Sequence, residues 1–130
     1  MMRTLRIELP CLPPAEYGAN ISRGQHWAQK HAVSQGAHDE VVAEVRNQGW
    51  RGPPMSRATI KVTFYLPDRR KRDPGMLQER IKPWLDALTV RFGAGVIEDD
   101  DLDVIGWPQY QHEYRKGQPG TVIYINEVLQ

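Results

Sequence analysis

Two neighbouring stretches of the sequence indicate the fold: RATIKVTF, residues 57–64, and MLQERIKPWLDALTVRF, residues 76–92. In the first stretch, apolar and polar side chains alternate, which is typical of a half-buried strand. In the second, the apolar residues form one helical stripe, and Pro83 predicts a kink or a restart of the helix as a first-turn proline. Because apolar residues recur at every second position in the first stretch and at helical spacing in the second, the sequence predicts a chain that combines strands and helices.

The rest of the chain extends this α/β (α+β) pattern. Residues 3–9 alternate as a strand, and residues 25–47 carry a helical stripe that Gly36 weakens. Residues 104–114 and 121–128 are typical of a terminal hairpin. We therefore expect a small mixed β-sheet with two main helices. Because no linker or repeat interrupts the chain, residues 1–130 are predicted to form a single domain.

Composition excludes several classes of protein. The single cysteine, Cys11, cannot form an intrachain disulfide. No apolar stretch is long enough for a signal peptide or a membrane span, so we expect a cytoplasmic protein without a membrane partner. The net charge of +1 does not by itself indicate nucleic-acid binding. The positive charges are concentrated near residues 57–72, however. Because the positive surface of one protomer is small, this distribution favours a dimer, in which two such surfaces combine.

Two charge runs suggest a chemistry. A basic run, Arg69-Arg70-Lys71-Arg72, ends on Asp73, and an acidic run, Glu98-Asp99-Asp100-Asp101, follows the second helical stretch. Dense carboxylates repel one another unless a cation lies among them, and the basic run could hold a polyanion. A phosphodiester-cleaving site is therefore the first hypothesis. The alternative is a solvated basic loop and an acidic turn.

Individual side chains fit such a site. Asp73, Asp86 and Asp100 come from three different elements, as in many oxygen-ligand metal sites, and Mg²⁺ needs only two or three carboxylates because it retains several waters. Glu79, Lys82 and Asp86 share a helical face. Lys82 could neutralise the attacked phosphate or the leaving oxygen, and the alternative is an i,i+4 salt bridge with Asp86.

The aromatic residues are assigned mainly to packing. Trp84 shares the face of the apolar helical stripe and Trp27 that of the first helix, so both are predicted to lie in the core. Trp107 and Tyr110 could face DNA, but packing across the hairpin is the favoured interpretation. The four histidines have no metal-ligand spacing, and none is assigned a catalytic role.

Three segments, in this order, resemble the RusA-type Holliday junction resolvases of bacteria and phages: RRKRDP at residues 69–74, KPWLDAL at residues 82–88 and GVIEDDD at residues 95–101. Together they cover a modest part of the chain, and three segments in order are more specific than any one. A weaker similarity, Asn20 with Arg23 and His26-Trp27, resembles the N-terminal loop of many relatives.

The resemblance implies a homodimer that binds four-way DNA junctions and makes paired nicks with Mg²⁺ or Mn²⁺ and no organic cofactor. The implied metal ligands are Asp73, Asp86, Asp99 and Asp100, with Lys82 as a further catalytic residue. The implied DNA contacts are Arg69, Arg70, Lys71, Arg72, Asn20 and Arg23. A two-fold symmetric dimer would place two equivalent sites on a junction of approximate two-fold symmetry.

One departure from the family pattern leaves alternatives open. Many members have a second aspartate two residues after the first, followed by asparagine, where this chain has Gly75 and Met76. Three alternatives stay open: Glu79 replaces the absent ligand, the remaining carboxylates suffice, or activity is weakened or lost. Three hypotheses follow: a metal-dependent junction endonuclease, a non-catalytic branched-DNA-binding protein of the same fold, and a nuclease for other branched DNA or RNA.

Overall fold

A computed structural model describes residues 2–18 and 27–129. Four strands are present in this part of the chain: β1 (Thr4–Leu9), β2 (Ala58–Leu66), β3 (Gln109–Tyr114) and β4 (Gly120–Glu127). The helices are α1 (Trp27–Asn47), α2 (Pro74–Arg80), α3 (Lys82–Asp86) and α4 (Leu102–Ile105), with a short 3-10 helix at Ala15–Tyr17. The predicted α+β class with a small mixed sheet is confirmed.

The sheet has the order β1-β4-β2-β3. Strand β4 runs antiparallel to both β1 and β2, whereas β3 runs parallel to β2. Ile123 of β4 therefore pairs with Ile7 on one side and with Val62 on the other. All three side chains are fully buried. The core thus lies against the middle of the sheet, where each apolar strand has two neighbours.

The predicted terminal hairpin is wrong, because β2 lies between β3 and β4. The connection after β3 is bonded to the end of β2: Arg115 N–H donates to Leu66 O at 2.9 Å, and Gly117 N–H donates to Pro67 O at 2.9 Å. Strand β3 is mostly exposed and polar, which suits an edge, whereas β4 is mostly buried. Residues 104–105 also belong to α4 rather than to a strand.

Helix α1 covers the sheet only with its C-terminal half, where Ala37, Val41 and Val45 are buried. The predicted burial of Trp27 is wrong: this side chain is 76% exposed and stacks on His31. The reason is length, since 21 helical residues span about 30 Å whereas the six residues of β1 span about 20 Å. The first turns of α1 therefore extend beyond the packed region.

The helix predicted over residues 76–92 is two short helices, and Pro83 stands in the first turn of the second. The predicted restart is confirmed, but helix α3 ends at Asp86. Thr89 stabilises this end, because its hydroxyl donates to Asp86 O at 2.7 Å and accepts from Phe92 N–H at 3.2 Å. The predicted apolar stripe is confirmed as core: Leu77, Ile81, Trp84, Leu85 and Leu88 are all buried.

The helices and the sheet share one hydrophobic core. In the described ranges, no helix has both the length and the apolar character needed to cross a membrane.

Candidate functional site

Three charged side chains meet beside α3. The ammonium of Lys82 donates to Asp86 Oδ1 at 2.9 Å and to Asp100 Oδ2 at 3.1 Å. The two carboxylates therefore share one positive charge. Asp86 and Asp100 are largely shielded from solvent, with 34% and 20% of their side chains exposed, whereas Lys82 is 67% exposed. We call these three residues the acid–lysine cluster.

Local structure explains why the cluster forms. Helix α3 turns Trp84 and Leu85 into the core, which leaves Lys82 and Asp86, one turn apart, on its outer face. The alternative interpretation of Lys82 as an i,i+4 salt bridge with Asp86 is confirmed as a contact. That contact does not exclude a catalytic role, because Lys82 also bonds Asp100, which is distant in sequence.

Asp100 is positioned by the apolar pair that precedes the acidic run. Val96 and Ile97 are fully buried. Their backbone is bonded on one side to Met55, whose N–H donates to Val96 O at 2.7 Å, and on the other to Leu88, whose carbonyl accepts from Val96 N–H at 2.9 Å. The chain that leads to Asp100 is therefore anchored at two points.

The cluster perturbs the ionisation of all three groups. Burial, and next a hydrogen bond with Asp100, raise the pKa of Asp86 to about 6, although Lys82 opposes this shift. The pKa of Asp100 is lowered by the hydrogen bond with Asp86 and by Lys82, against the effect of burial. Burial lowers the pKa of Lys82, but its hydrogen bonds to the two carboxylates raise it overall. At neutral pH, two partly shielded carboxylates thus share one ammonium, which leaves an excess of negative charge.

The neighbouring aspartates shape the loop. Asp99 Oδ1 accepts from Asp100 N–H at 2.8 Å, and Asp101 Oδ1 accepts from Val104 N–H at 3.0 Å, which caps α4. These two carboxylates fix the backbone around Asp100. Asp99, a predicted metal ligand, is thus engaged with the backbone of its own turn.

Asp73 is not part of the acid–lysine cluster. Its carboxylate caps α2 by accepting from Gly75 N–H at 2.9 Å. It lines a separate surface hollow together with Met76 and Glu79. Glu79 therefore accompanies Asp73, and the predicted convergence of Glu79 with Lys82 and Asp86 is not found. A break at Ile81 separates α2, which carries Glu79, from α3, which carries Asp86.

The donor set of the cluster fits a divalent cation of the Mg²⁺ type. Across residues 2–18 and 27–129, no group of three or more His, Cys, Asp or Glu side chains is arranged to hold a metal ion. Mg²⁺ is commonly held, however, by only one or two carboxylates together with waters and substrate phosphates. Asp86 and Asp100 supply that minimum.

The basic run is ordered by the preceding Asp68. Asp68 Oδ1 accepts from Arg70 N–H at 3.1 Å and lies 3.1 Å from Arg72 Nη1. The guanidinium of Arg69 lies over the ring of Tyr114, 4.1 Å from its centroid. The Arg70 side chain is 75% exposed. The run is thus a loop of fixed backbone with cations available to a ligand.

The basic run borders a cleft of about 410 Å³ against strand β3. We call it the basic–aromatic cleft; its lining includes Arg69–Arg72, Phe64, Leu77, Gln78, Tyr110 and Tyr114. Gln78 and Tyr110 also line a second cavity, of about 310 Å³, that contains Lys82, Asp100 and Trp107. The basic run and the acid–lysine cluster therefore face adjoining cavities.

Trp107 and Tyr110 line these cavities, which the sequence offered only as the less favoured alternative of a DNA-facing surface. Trp107 is 83% exposed and precedes β3, so packing across a hairpin, the favoured interpretation, is wrong for this residue. Tyr110 does pack across strands, but on Phe64 of β2, with ring centroids 6.1 Å apart. A signal was present, because β3 alternates aromatic and polar residues without the apolar content expected of an inner strand.

Two predicted DNA contacts, Asn20 and Arg23, lie outside the described residues, as does His26.

The chain matches no model of a known protein family and no curated protein.

Proposed function

We propose that this protein is a metal-dependent endonuclease that resolves four-way DNA junctions and related branched DNA by paired phosphodiester nicks. The resemblance of three ordered segments to the RusA-type resolvases suggests this activity. The structural observation that carries the proposal is the acid–lysine cluster, in which one ammonium donates to both Asp86 and Asp100 and in which Lys82 and Asp100 line a cavity adjoining the basic–aromatic cleft. A cation site beside a phosphate-binding surface suits phosphodiester hydrolysis.

In this proposal, Asp86 and Asp100 hold Mg²⁺, for which Mn²⁺ can substitute. The ion supplies Lewis-acid polarisation of a phosphoryl oxygen and a bound water as nucleophile. Lys82 neutralises charge on the phosphate or on the leaving oxygen, and its 67% exposed side chain can reach a ligand at the surface. Asp99 orients the turn that presents Asp100.

The part proposed for Asp73 differs from that of a direct ligand. Its carboxylate fixes the start of α2, directly after the basic run. It lines a different hollow from the one lined by Lys82 and Asp100. We therefore assign Asp73 to positioning of the basic run and leave the cation to Asp86 and Asp100.

The proposal extends to partners and location. The basic run binds DNA phosphates, and a homodimer places two cation sites on one junction. The resemblance suggests a cytoplasmic protein of a bacterium or of a phage in its host.

A second candidate, a branched-DNA-binding protein with weakened or no activity, is favoured by one observation. Asp73, the first carboxylate of the family-like pattern, lies apart from Asp86 and Asp100. A cation held by two carboxylates alone is bound more weakly than one held by three.

The deciding experiment is cleavage of a labelled four-way junction and of a linear duplex with the same arm sequences, in Mg²⁺, Mn²⁺ or EDTA. We expect symmetric metal-dependent nicks in the junction. Asp100→Asn should reduce the cleavage rate by at least about 100-fold and retain junction binding, because it removes a cation ligand and leaves the basic run intact. The matched control is Asp103→Asn, an exposed carboxylate close in sequence but outside the cluster, which should cleave normally.

Tight junction binding without nicks in either metal would contradict the nuclease and favour the binding protein. Equal loss of cleavage in Asp100→Asn and Asp103→Asn would contradict the assigned site, because total negative charge rather than the cluster would then matter.

A further inference from the structure

We propose that the basic–aromatic cleft binds one unpaired nucleotide of a DNA strand, with its base against the aromatic wall and its phosphate on the arginines. This inference rests on the proposed function and deepens it, because it names the feature of branched DNA that the site would select. Four features of the cleft support this inference: its size, the Arg72 guanidinium that lines it, its charge and its position.

The cleft has the size and surface of a small-ligand site. Its volume of about 410 Å³ falls within the usual range for such sites. The Tyr110 ring is held by stacking on Phe64, with an interplanar angle of 10°. Tyr114 is held by the Arg69 guanidinium above its ring. Planar side chains that are already fixed lose little freedom when a flat ligand stacks on them.

Arg72 provides a second, independent indication of a ligand. Although it carries a charge, only 7% of its side chain is exposed. Its Nη1 is engaged, with Asp68 O at 3.1 Å and the Asp68 carboxylate at 3.1 Å. Its Nη2 is buried and has no hydrogen-bond partner among the described residues. A buried donor without an acceptor is unfavourable, and a ligand oxygen in the cleft that this guanidinium lines would supply one.

The lining identifies the ligand as an anion with a flat ring. Four consecutive cations, Arg69–Arg72, contribute to the lining, and none of its described residues is acidic. Gln78 and Gln111 add amide groups, which can hydrogen-bond the edge of a base. Cations that track phosphate, combined with aromatic platforms, are the usual means of binding single-stranded nucleic acid.

The same geometry favours an unpaired nucleotide over a duplex. In a double helix, both faces of each base are covered by its neighbours, so a side chain can stack only on a base that has left the helix. Because Gln78 and Tyr110 also line the cavity of Lys82 and Asp100, such a nucleotide would lie next to the acid–lysine cluster. At a branch point, a base lies at the end of a duplex arm, where leaving the stack costs less than it does inside a continuous duplex.

The test is binding without cleavage, in EDTA. A fluorescent oligothymidylate, an abasic strand of the same length and a blunt duplex are titrated with the protein, and anisotropy is recorded. We expect the abasic strand to bind at least about tenfold more weakly than oligothymidylate, because it keeps the phosphates but lacks bases to stack. Equal binding of these two strands would overturn the inference, since only phosphate attraction would remain.

Two tyrosines provide a matched pair of variants. Tyr114→Leu should weaken oligothymidylate binding by about tenfold and leave duplex binding within about twofold. Tyr124→Leu is the control, because Tyr124 also lies under an arginine, Arg6, but on β4 and outside the cleft. Equal effects of the two substitutions would overturn the inference. Arg72→Gln should weaken binding of oligothymidylate and of the abasic strand alike, because both strands keep the phosphate, and unchanged binding of both would count against the role assigned to Arg72.

Failure of this inference and failure of the nuclease are distinguishable. Base-dependent binding without junction cleavage in Mg²⁺ would support the cleft and reject the proposed activity. Junction cleavage without base-dependent binding would support the proposed activity and reject the nucleotide-binding cleft.

Discussion

At the scale of single residues, Lys82 is the counter-ion of the acid–lysine cluster. Its ammonium donates to both Asp86 and Asp100, whose carboxyl groups also hydrogen-bond each other. Because the Lys82 side chain is 67% exposed, solvent screens part of its charge.

Lys82→Met should lower the free energy of unfolding by about 1 kcal/mol, a value discounted because the ion pair is exposed to solvent. Mg²⁺ should then stabilise this variant more than the wild type, since the ion replaces the missing positive charge. Thermal unfolding with and without Mg²⁺ measures both effects. Lys61→Met, which removes an exposed lysine of β2, is the control. Equal stabilisation of all three proteins by Mg²⁺ would contradict this role of Lys82.

Two tryptophans give a prediction about packing. Trp84 is fully buried and meets Tyr17 edge to face, with ring centroids 5.8 Å apart. Trp84→Ala should therefore lower the free energy of unfolding by about 3–5 kcal/mol. Trp27→Ala, at a side chain that is 76% exposed, should change it by less than about 0.5 kcal/mol. Urea unfolding of both variants checks the contrast, and comparable losses would mean that Trp27 is buried in solution.

At the scale of elements, α1 is longer than the surface it covers. Its first turns are exposed, and Gly36 lies at the boundary of the packed half. The C-terminus is defined by Gly49, which has a φ of 72° and whose N–H donates to Arg46 O at 2.9 Å. Glycine is well suited to position 49, where φ is positive, but not to position 36, inside the helix.

Gly36→Ala should raise the free energy of unfolding by about 0.5–1 kcal/mol. A Cβ at this position meets no atom within 4 Å, and alanine restricts the unfolded chain. Gly49→Ala should lower the free energy of unfolding by about 1 kcal/mol, because its positive φ is unfavourable for an L-residue although space is open. Thermal unfolding gives both values. A shift of the same sign in the two variants would contradict the helix boundaries.

At the scale of the whole molecule, the two ends of the chain are joined. The Glu127 carboxylate accepts from Arg3 N–H at 3.0 Å and from the Arg3 guanidinium at 2.7 Å. Arg3 also donates to Pro53 O at 2.6 Å. These contacts connect the start of β1, the end of β4 and the loop before β2.

Glu127 gives the molecule a pH-dependent contribution to stability. Its hydrogen bonds with Arg3 lower its pKa. A carboxyl with a lowered pKa stabilises the fold above the pKa of the unfolded chain, near 4.3, and this contribution is lost as the pH falls through the folded value. Glu127→Gln should therefore lower the melting temperature at pH 7 and converge with the wild type at low pH. A difference that is constant with pH would contradict the ionic contribution.

The sequence by itself determined the α+β class, strands β1 and β2, and the burial of Trp84 and its neighbours. Each follows from local periodicity, which reports the face that a side chain presents. Only the tertiary structure decided that β2 separates β3 from β4, that Trp27 is exposed, that Asp100 is anchored through Val96 and Ile97, and that Asp73 and Glu79 lie apart from Asp86. Strand order, the length of α1 relative to the sheet and the bonds of residues 96–97 to Met55 and Leu88 depend on long-range packing. No local pattern encodes these features, because they arise from contacts between residues that are distant in sequence.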